Sequence, residues 1–335
     1  MLYRQKPLKF GDRPVVLRTG QTGNRASQLM TKPGVQRVTK GLWAMHPEPL
    51  TAVERSLLLQ QHLGAPGSTL AVTGFNALDL LKIPVGYTDP WVHQSLKMPL
   101  PRVMRDILGE RETAHLRWSG ARNQTVAEGI KFSKSMGLSS FEGPWGSRVT
   151  HPVEALVVVD PRLSHWRIIA CLDAMMSWQF TIPGTGVTAE LPRTVIEECL
   201  SHLPPHALAV NAVRRGLREA QESCFSAMET LTRMIALHEG LPPPHLNYPV
   251  EVNGRTFYLD LAWPEVKVAV EYNGRVHAEE VDDYRDEMYR FALIRDSGWD
   301  LTLLVKGDLE EPDRRWKWVE RVRRATSSSS SVIVL

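Results

Sequence analysis

Cysteine is scarce in this sequence of 335 residues, which contains only three. Cys171, Cys199 and Cys224 are widely separated, and no two of them form a CxxC pair. Disulfide scaffolds and cysteine-ligated zinc sites need paired cysteines at short, regular spacing. The sequence therefore argues against both.

Long apolar runs are also missing, and none reaches the length of a membrane span. The first sixteen residues, MLYRQKPLKFGDRPVV, contain no apolar core of a secretory signal. We therefore expect a cytoplasmic protein with no membrane partner. With 43% hydrophobic and 23% charged residues, the chain has the composition of an ordinary globular protein, and its length predicts two or three domains.

Acidic residues are nearly absent from residues 1–45, which contain nine Lys or Arg against the single acid Asp12. The net charge of the whole chain is only +3, so the excess of basic residues is local. A basic module of this kind favours phosphate-backbone binding, because neutralised phosphates release their counterions. A solvated basic N-terminus is the alternative.

A helix followed by a basic hairpin is expected within residues 1–50. TGNRASQLM is typical of a short helix capped by Asn24, and VQRVTKGLWAM is typical of two short strands around a Gly-containing turn. This order indicates a winged helix. Arg25, Arg37 and Lys40 would then meet the phosphates of DNA.

The middle of the chain, residues 51–215, is predicted to be mixed but mostly helical. A helix over 51–63 has Thr51 and Glu54 in the positions of a capping box. Residues 86–150 have no clear pattern, and 151–160 is compatible with a helix or a buried strand. Further helices are expected at 73–83, 166–178, LPRTVIEECLSHL and LAVNAVRRGLREAQ. The serine-rich tail, 326–335, is predicted to be disordered.

Residues 216–325 are predicted to form a separate domain with the order α-β-β-α-β-α. The segment LPPPHLNYPVEVNG is interpreted as an extended connector between the first helix and the strand RTFYLDLAW. The strand VKVAVEY, a long helix over 282–298, a strand over 299–305 and a closing helix follow. The predicted class is mixed α+β, with an α/β/α sandwich at the C-terminus.

Two carboxylates in the predicted hairpin face the same way. A two-residue turn at Pro264-Glu265 would pair 263 with 266, so Asp260 and Glu271 would be diagonal neighbours, roughly 7–8 Å apart. Like charges this close need a proton or a metal to coexist, and oxygen ligands favour Mg²⁺ first and Mn²⁺ second. The alternative is that the two acids pair with Arg255, Lys267 or Arg290.

The segment ETLTRMIALHEGLPPPHLNYPVEVNGRTFYLDLAWPEVKVAVEYNGRVH, with YRDEMYRFALIRDSGWDLTLL after it, resembles the domain related to very-short-patch repair endonucleases, within the PD-(D/E)XK nuclease superfamily. The resemblance covers about 223–305. It implies a metal-binding pair of Asp260 and Glu271, with Glu229 as a third acid from the first helix. It also implies that His277 is a general acid/base or phosphate contact, and that Arg290 lies near the scissile phosphate.

Asn273 departs from this pattern, because the family usually has Asp there and the wider superfamily has Lys. Asparagine keeps an acceptor oxygen but carries no charge. Simpler interpretations also stay open: Glu229 as a surface residue, His277 as a loop residue, and Arg290 paired with Asp286 at i, i+4.

Residues 11–180 resemble, through shorter motifs such as TLAVTGFNALDLLKIP and RVTHPVEALVVVD, actinobacterial proteins that join an AbiEi-type antitoxin-like winged helix to such a nuclease-like domain. This implies DNA as a partner, and a toxin–antitoxin partner or a second copy of the chain as further expectations. Two functions follow: a Mg²⁺-dependent DNA endonuclease in phage defence or repair, or a non-catalytic DNA-binding regulator with a degraded nuclease-like domain.

Overall fold

The structure is a computed structural model that describes residues 3–4, 10–18, 28, 31–64, 69–86, 96–97, 112–118, 129–274 and 281–329. Helices and mixed sheets alternate along it, so the predicted mixed α+β class is confirmed. The chain divides into two compact units. The N-terminal unit comprises Leu2–Tyr87 and Leu100–Ala220, and the C-terminal unit comprises Thr88–Pro99 and Gln221–Leu335 together with Met1.

The N-terminal unit begins with four short strands: Tyr3–Arg4 (β1), Val15–Arg18 (β2), Val35–Thr39 (β3) and Leu42–Met45 (β4). Strands β2, β4 and β3 form an antiparallel sheet in that order. The predicted basic hairpin is therefore confirmed as β3–β4, with Gly41 at a φ of +81° in its turn. Of the helix expected after Asn24, only Gln28 lies within the described residues, and Arg25 lies outside them.

The first long helix, Ala52–Leu63 (α1), begins where the capping box predicts. The backbone N–H of Glu54 donates to Oγ1 of Thr51 at 3.2 Å, and the N–H of Thr51 donates to Oε2 of Glu54 at 2.8 Å. Two backbone donors of the first helical turn are satisfied reciprocally in this way. The helix start is thus encoded by four adjacent residues.

The rest of the N-terminal unit contains more strand than the sequence predicts. Four strands fall in the unassigned residues 86–150, and they join β5 in a sheet of order β7-β6-β5-β9-β8. Of residues 151–160, which the sequence leaves open between helix and strand, Pro152–Val159 form a helix. The elements in chain order are Ala71–Val72 (β5), Gly74–Leu80 (α2), Ala114–Trp118 (β6), Ile130–Lys134 (β7), Ser140–Glu142 (β8), Arg148–Thr150 (β9), Pro152–Val159 (α3), His165–Ser177 (α4), Trp178–Thr181 (β10), Thr188–Glu190 (β11), Arg193–His202 (α5) and Leu208–Glu219 (α6).

The C-terminal unit is built on a four-stranded sheet of order β12-β13-β14-β15. The pairs β12–β13 and β13–β14 are antiparallel, whereas β14–β15 is parallel. Its elements are Ala227–His238 (α7), His245–Val252 (β12), Arg255–Trp263 (β13), Val268–Tyr272 (β14), Val281–Asp296 (α8), Asp300–Leu304 (β15), Lys306–Glu310 (α9) and Pro312–Ser329 (α10).

Two expectations for this unit are wrong. The segment interpreted as an extended connector contains strand β12, which pairs with β13 from His245↔Ala262 to Val252↔Arg255. The predicted disordered tail begins too early, because α10 continues through residues 326–329. Both errors come from composition. The prolines suggest an irregular connector where a strand pairs with β13, and the serines suggest disorder where α10 continues.

The core of the C-terminal unit is formed where α8 packs on the sheet. Val250, Leu259, Ala269, Phe291 and Ile294 belong to one buried cluster. Burying a side chain of this size stabilises the fold by roughly 1.5–3 kcal/mol. The cluster fixes the position of α8 relative to β13 and β14, which is what aligns their polar residues.

The predicted two-residue turn between β13 and β14 is also wrong. Trp263 pairs with Val268, so the turn holds four residues, a 3₁₀ turn over Pro264–Val266 followed by Lys267 at a φ of +50°. Ala269 consequently pairs with Ala262, whereas the predicted two-residue turn would have paired Ala269 with Asp260. One step beyond the last pair of this register, Asp260 is directly opposite Glu271, not diagonal to it.

Candidate functional site

Asp260 lies where the backbone ladder between β13 and β14 ends. The last backbone pair is Leu261↔Val270. Beyond it, the backbone N–H of Tyr272 donates to Oδ2 of Asp260 at 2.9 Å. The carboxylate thus takes the place of a missing backbone acceptor, which satisfies a donor that would otherwise be lost. This hydrogen bond fixes the Asp260 side chain at the end of the ladder.

Glu229 is held at the first turn of α7. Its own N–H donates to Oγ of the N-cap Ser226 at 3.1 Å, and its Oε2 accepts from the N–H of Phe225 at 2.9 Å. Nδ2 of Asn247 also donates to Oε2 of Glu229, at 3.4 Å. A carboxylate is favoured at a helix N-terminus, where the unpaired N–H groups point. Glu229 is therefore a fixed, buried acid, and its interpretation as an ordinary surface residue is wrong.

Glu229 and Asp260 affect each other's ionisation. Burial raises the pKa of Glu229 to about 7, and the negative charge of Asp260 raises it too, while its three hydrogen bonds act in the opposite direction. Burial also raises the pKa of Asp260 to about 6, partly offset by the N–H of Tyr272 and by Arg290. Neighbouring carboxylates with raised pKa values are stabilised by a shared proton or by a cation.

Glu271 is bound by Arg290 from α8. Nη1 of Arg290 donates to Oε2 of Glu271 at 2.9 Å, and Nη2 donates to Oε1 at 2.8 Å. Burial raises the pKa of Glu271 to about 7, although the hydrogen bonds and charge of Arg290 lower it. Nη2 of Arg290 donates further to the carbonyl of Tyr258 at 2.7 Å. Of the two ion pairs that the sequence leaves open for Arg290, the pair with Glu271 is present and the pair with Asp286 is not.

Asn273 follows β14 at the same end of the sheet. Its Nδ2 donates to Oε2 of Glu287 at 3.3 Å, and its N–H donates to the carbonyl of Leu304 at 2.7 Å. The amide thus interacts with a carboxylate of α8 through its donor side. His277 lies outside the described residues.

A hard cation requires several oxygen ligands close together. No three His, Cys, Asp or Glu side chains in the described part of the chain are grouped to hold a metal ion. Both oxygens of Glu271 are bound by Arg290. In contrast, Phe225 and Asn247 donate to Oε2 of Glu229 and Tyr272 donates to Oδ2 of Asp260, and none of these three hydrogen bonds reaches Oε1 of Glu229 or Oδ1 of Asp260. These two oxygens fit a hard cation such as Mg²⁺.

The basic residues predicted for DNA binding lie in the N-terminal unit. Arg37 is an exposed residue of β3, and Lys40 is an exposed residue of the β3–β4 turn. Arg37 precedes an irregularity in the pairing of β3 with β4. Both side chains are thus available at the tip of the hairpin.

Sequence reasoning missed Asn247 as a partner of Glu229. Asn247 adopts a φ of +45° within β12, and its Nδ2 also donates to the carbonyl of Ser223 at 2.6 Å. Asparagine tolerates this left-handed backbone better than most residues. Asn247 itself, a polar residue between Leu246 and Tyr248 in the segment interpreted as a connector, is the available signal.

The chain is similar to two proteins of Mycobacterium tuberculosis, uncharacterized protein MT2308 of strain CDC 1551 / Oshkosh and uncharacterized protein Rv2248 of strain H37Rv. Each is 30% identical to it over 179 residues, which is 50% of this chain. The matched region spans 59% of the length of each relative. No protein-family model and no solved structure matches the chain. Among the described residues, no helix has both the length and the apolar character needed to cross a membrane.

Proposed function

We propose that the C-terminal unit is a metal-dependent nuclease domain that hydrolyses phosphodiester bonds in DNA. The observation that carries the proposal is that burial and the charge of Asp260, at the end of the β13–β14 ladder, raise the pKa values of two buried acids, Glu229 and Glu271, while burial raises the pKa of Asp260 itself. Burying several carboxylates is costly, and perturbed acids of this kind cluster at functional sites. The resemblance to very-short-patch repair endonucleases assigns the same three residues.

In this proposal Glu229 and Asp260 are the residues that would hold Mg²⁺ or Mn²⁺. The ion, when bound, supplies an activated water and offsets the charge that develops on the phosphate. Both carboxyls must be deprotonated to bind it, so loading becomes easier as the pH rises through their pKa values of about 7 and about 6.

Glu271 and Arg290 act as a pair. The pKa of Glu271, about 7, suits a group that accepts a proton near neutral pH. The Arg290 side chain is 27% exposed, so its guanidinium would contact a phosphate oxygen from the solvent side while it holds Glu271. His277 is assigned by the resemblance to assist proton transfer or to contact the phosphate.

DNA binding is proposed to begin in the N-terminal unit, through Arg37 and Lys40 with Arg25. Arg37 and Lys40 lie in the basic hairpin, and cations there would neutralise backbone phosphates without reading sequence. The proposal places substrate positioning in one unit and hydrolysis in the other.

A second function is favoured by one specific observation. Both oxygens of Glu271 are bound by Arg290, and Asn273 donates to Glu287 where the family usually has a metal-binding charge. If this arrangement persists with DNA bound, the domain would bind without cutting. The chain would then be a DNA-binding regulator of antitoxin type, with a toxin–antitoxin partner or a second copy of itself.

A cleavage assay tests the first function. Supercoiled plasmid, linear duplex and single-stranded oligonucleotide are each incubated with Mg²⁺ or Mn²⁺ and wild-type protein, Asp260→Asn or Glu229→Gln. Glu265→Gln is the matched control, because Glu265 is a carboxylate of the same hairpin with a side chain 72% exposed. We expect cleavage by wild type and Glu265→Gln, and a loss of about a hundredfold or more in the two site variants. No cleavage of any substrate by wild type, together with salt-sensitive DNA binding, supports the regulator instead.

A further inference from the structure

Helix α10 has a basic outer side that neither proposed function uses. Its apolar side is buried through Trp318, Val319 and Val322. Its outer side has four exposed residues at helical spacing: Trp316, Lys317, Arg321 and Arg324. The helix contains six Lys or Arg against two acids, and Trp316 is 57% exposed. An exposed aromatic ring among cations is the combination of groups with which proteins bind single-stranded nucleic acids.

These residues line a groove that continues onto the sheet. A cavity of about 510 Å³ is bordered by Trp316, Lys317, Glu320, Arg321, Arg324 and Ala325, and Glu320 is bound there by Arg324. Lys317 and Arg321 also border a second cavity of about 240 Å³, whose other wall includes Thr302 and Leu303 of β15. We name this continuous surface, from Trp316 across Lys317 and Arg321 to Thr302, the α10 groove.

The polar groups of the α10 groove are available to an anion. Oγ1 of Thr302 is buried and has no hydrogen-bond partner. Lys317 makes no ion pair with any described residue. Arg321 pairs with Asp300, and Arg324 pairs with Glu320, but in both pairs the arginine is largely exposed. Exposed pairs of this kind exchange readily for a phosphate.

The α10 groove is adjacent to the candidate site. Strand β15 is at the edge of the sheet, and in its register Leu303 pairs with Glu271 and Leu304 with Tyr272. Neighbouring strands are about 4.8 Å apart. Leu303 and Leu304 are groove residues, so the backbone of the groove wall is one strand away from Glu271, whereas Thr302 pairs with Val270 and its side chain alternates to the other face of the sheet.

We propose that the α10 groove binds a single-stranded or locally unpaired nucleic-acid segment. One base stacks on Trp316, and neighbouring phosphates bind Lys317 and Arg321, with the hydroxyl of Thr302 donating to a phosphate oxygen. An unpaired segment is required, because a base within a duplex has both faces already stacked. The binding stands on the groove itself, whereas its use in presenting a strand to the carboxylates rests on the proposed nuclease function.

The test measures binding by the full chain in EDTA, so that cleavage plays no part. Fluorescence anisotropy is recorded with a labelled single strand of about 12 nucleotides, a length within the range of single-strand sites, and with a duplex of the same sequence. Variants Trp316→Ala and Lys317→Ala are made in wild type and in an Arg37→Ala/Lys40→Ala background, which removes the other basic surface. Lys306→Ala, an exposed lysine of the neighbouring helix α9, is the matched control.

We expect Trp316→Ala to weaken single-strand binding about tenfold, while duplex binding changes little. Lys317→Ala should weaken it and reduce the slope of log affinity against log salt by about 0.7. Lys306→Ala should bind as wild type. Because binding is measured in EDTA, the test also separates this proposal from the nuclease proposal: binding that depends on the groove, without any cleavage by wild type in Mg²⁺ or Mn²⁺, would sink only the nuclease proposal.

Unchanged single-strand affinity of both groove variants in both backgrounds would overturn the proposal. So would wild-type protein that binds vesicles of phosphatidylserine but no oligonucleotide. A photo-crosslink from a single strand containing 5-iodouracil provides the second measurement, and we expect the modified residue to be Trp316. A crosslink confined to the N-terminal unit would contradict the assignment.

Discussion

Arg290 binds both carboxylate oxygens of Glu271, at 2.8 and 2.9 Å, from a helix nineteen residues further along the chain. The side chain of Glu271 is only 6% exposed and that of Arg290 is 27% exposed. The pair therefore holds one acid of the candidate site in place, at the position where the proposed function needs a proton acceptor, and burial raises the pKa of that acid to about 7 although Arg290 lowers it. Removing either member should have consequences that depend on pH.

Arg290→Met should destabilise the protein by about 2–3 kcal/mol at pH 8, because a buried carboxylate is left without its partner. The loss should be smaller at pH 5, where Glu271 is protonated. Chemical denaturation of wild type and Arg290→Met at pH 8 and at pH 5 measures the two losses of stability. Arg324→Met, which removes an exposed arginine of a surface pair, is the control and should stay close to wild type.

A double variant, Glu271→Gln with Arg290→Met, sharpens this test. Neutral glutamine removes the unpaired charge, so part of the stability lost in Arg290→Met should return at pH 8. If the double variant is no more stable than Arg290→Met alone, the ion pair is not the source of the effect.

Glu229→Gln should become stabilising, relative to wild type, as the pH rises. Burial raises the pKa of Glu229 to about 7, above its ordinary value of 4.5, so folding favours the protonated acid. That stabilisation is fully present below about pH 4.5 and is lost as the pH rises through about 7. Glutamine does not ionise, so its contribution to stability does not change with pH, and its side-chain oxygen can still accept the hydrogen bond from the N–H of Phe225.

The free energy of unfolding of Glu229→Gln, relative to that of wild type, should thus increase between pH 5 and pH 8 by on the order of 2 kcal/mol in metal-free buffer. Free energies of unfolding at several pH values provide the measurement. Glu265→Gln, with its exposed carboxylate, should show no such trend. A pH-independent difference for Glu229→Gln would mean that Glu229 is not a buried acid in solution.

Asn273→Asp distinguishes the two proposed functions. Aspartate would place a negative charge beside Glu287, whose Oε2 now accepts from Asn273, so the metal-free protein should lose about 1 kcal/mol. If the missing charge limits metal binding, millimolar Mg²⁺ should raise the melting temperature of Asn273→Asp more than that of wild type. Asn273→Ala, which removes the donor without adding charge, should respond to Mg²⁺ as wild type does.

Thermal melts with and without Mg²⁺, followed by plasmid cleavage, complete that comparison. Stronger cleavage by Asn273→Asp than by wild type would identify position 273 as the site of lost activity. Equal Mg²⁺ responses in all three proteins would show that charge at 273 does not control metal binding.

Arg37→Ala and Lys40→Ala should each weaken duplex DNA binding and flatten its salt dependence. Each lost phosphate contact reduces the slope of log affinity against log salt by about 0.9. Lys134→Ala, at the exposed end of β7, removes the same charge elsewhere in the N-terminal unit and serves as control. Affinities and slopes that match wild type in both hairpin variants would place the DNA-binding surface elsewhere.

The features that the sequence predicts well are those determined by neighbouring residues. Helix α1 begins at a capping box contained within Thr51–Glu54, and helices α7 and α8 end before Gly240 and Gly298, both at positive φ. Each signal involves residues within one or two turns. Local hydrogen bonding and backbone sterics therefore determine these boundaries with little help from the rest of the fold.

Strand β12 was missed because it depends on a partner. Its Pro249 suggests irregular chain, yet proline is tolerated in an edge strand, where one side needs no hydrogen bonds. Only pairing with β13 makes the segment a strand. The β13–β14 register was missed for a related reason, since nothing local shows that Lys267 adopts the left-handed conformation.

Within the candidate site, Asp260 and Glu271 were expected to lie on one side of the hairpin, and strand alternation sufficed for that. The partner of Arg290 could not be ranked from sequence. Asp286 lies one helical turn away from it, whereas Glu271 meets it only after α8 has packed on the sheet. Tertiary packing, and not helix periodicity, selects the ion pair.

The central claim is that Glu229 and Asp260 form a site for a divalent cation, and a crystal structure with Mn²⁺ tests it most directly. The anomalous signal of Mn²⁺ locates the ion without reference to the protein. We predict a peak at about 2.0–2.3 Å from Oε1 of Glu229 and Oδ1 of Asp260, absent from crystals of Asp260→Asn. No peak at these residues at saturating Mn²⁺ and pH 8, with the two carboxylates instead sharing a proton, would contradict the account.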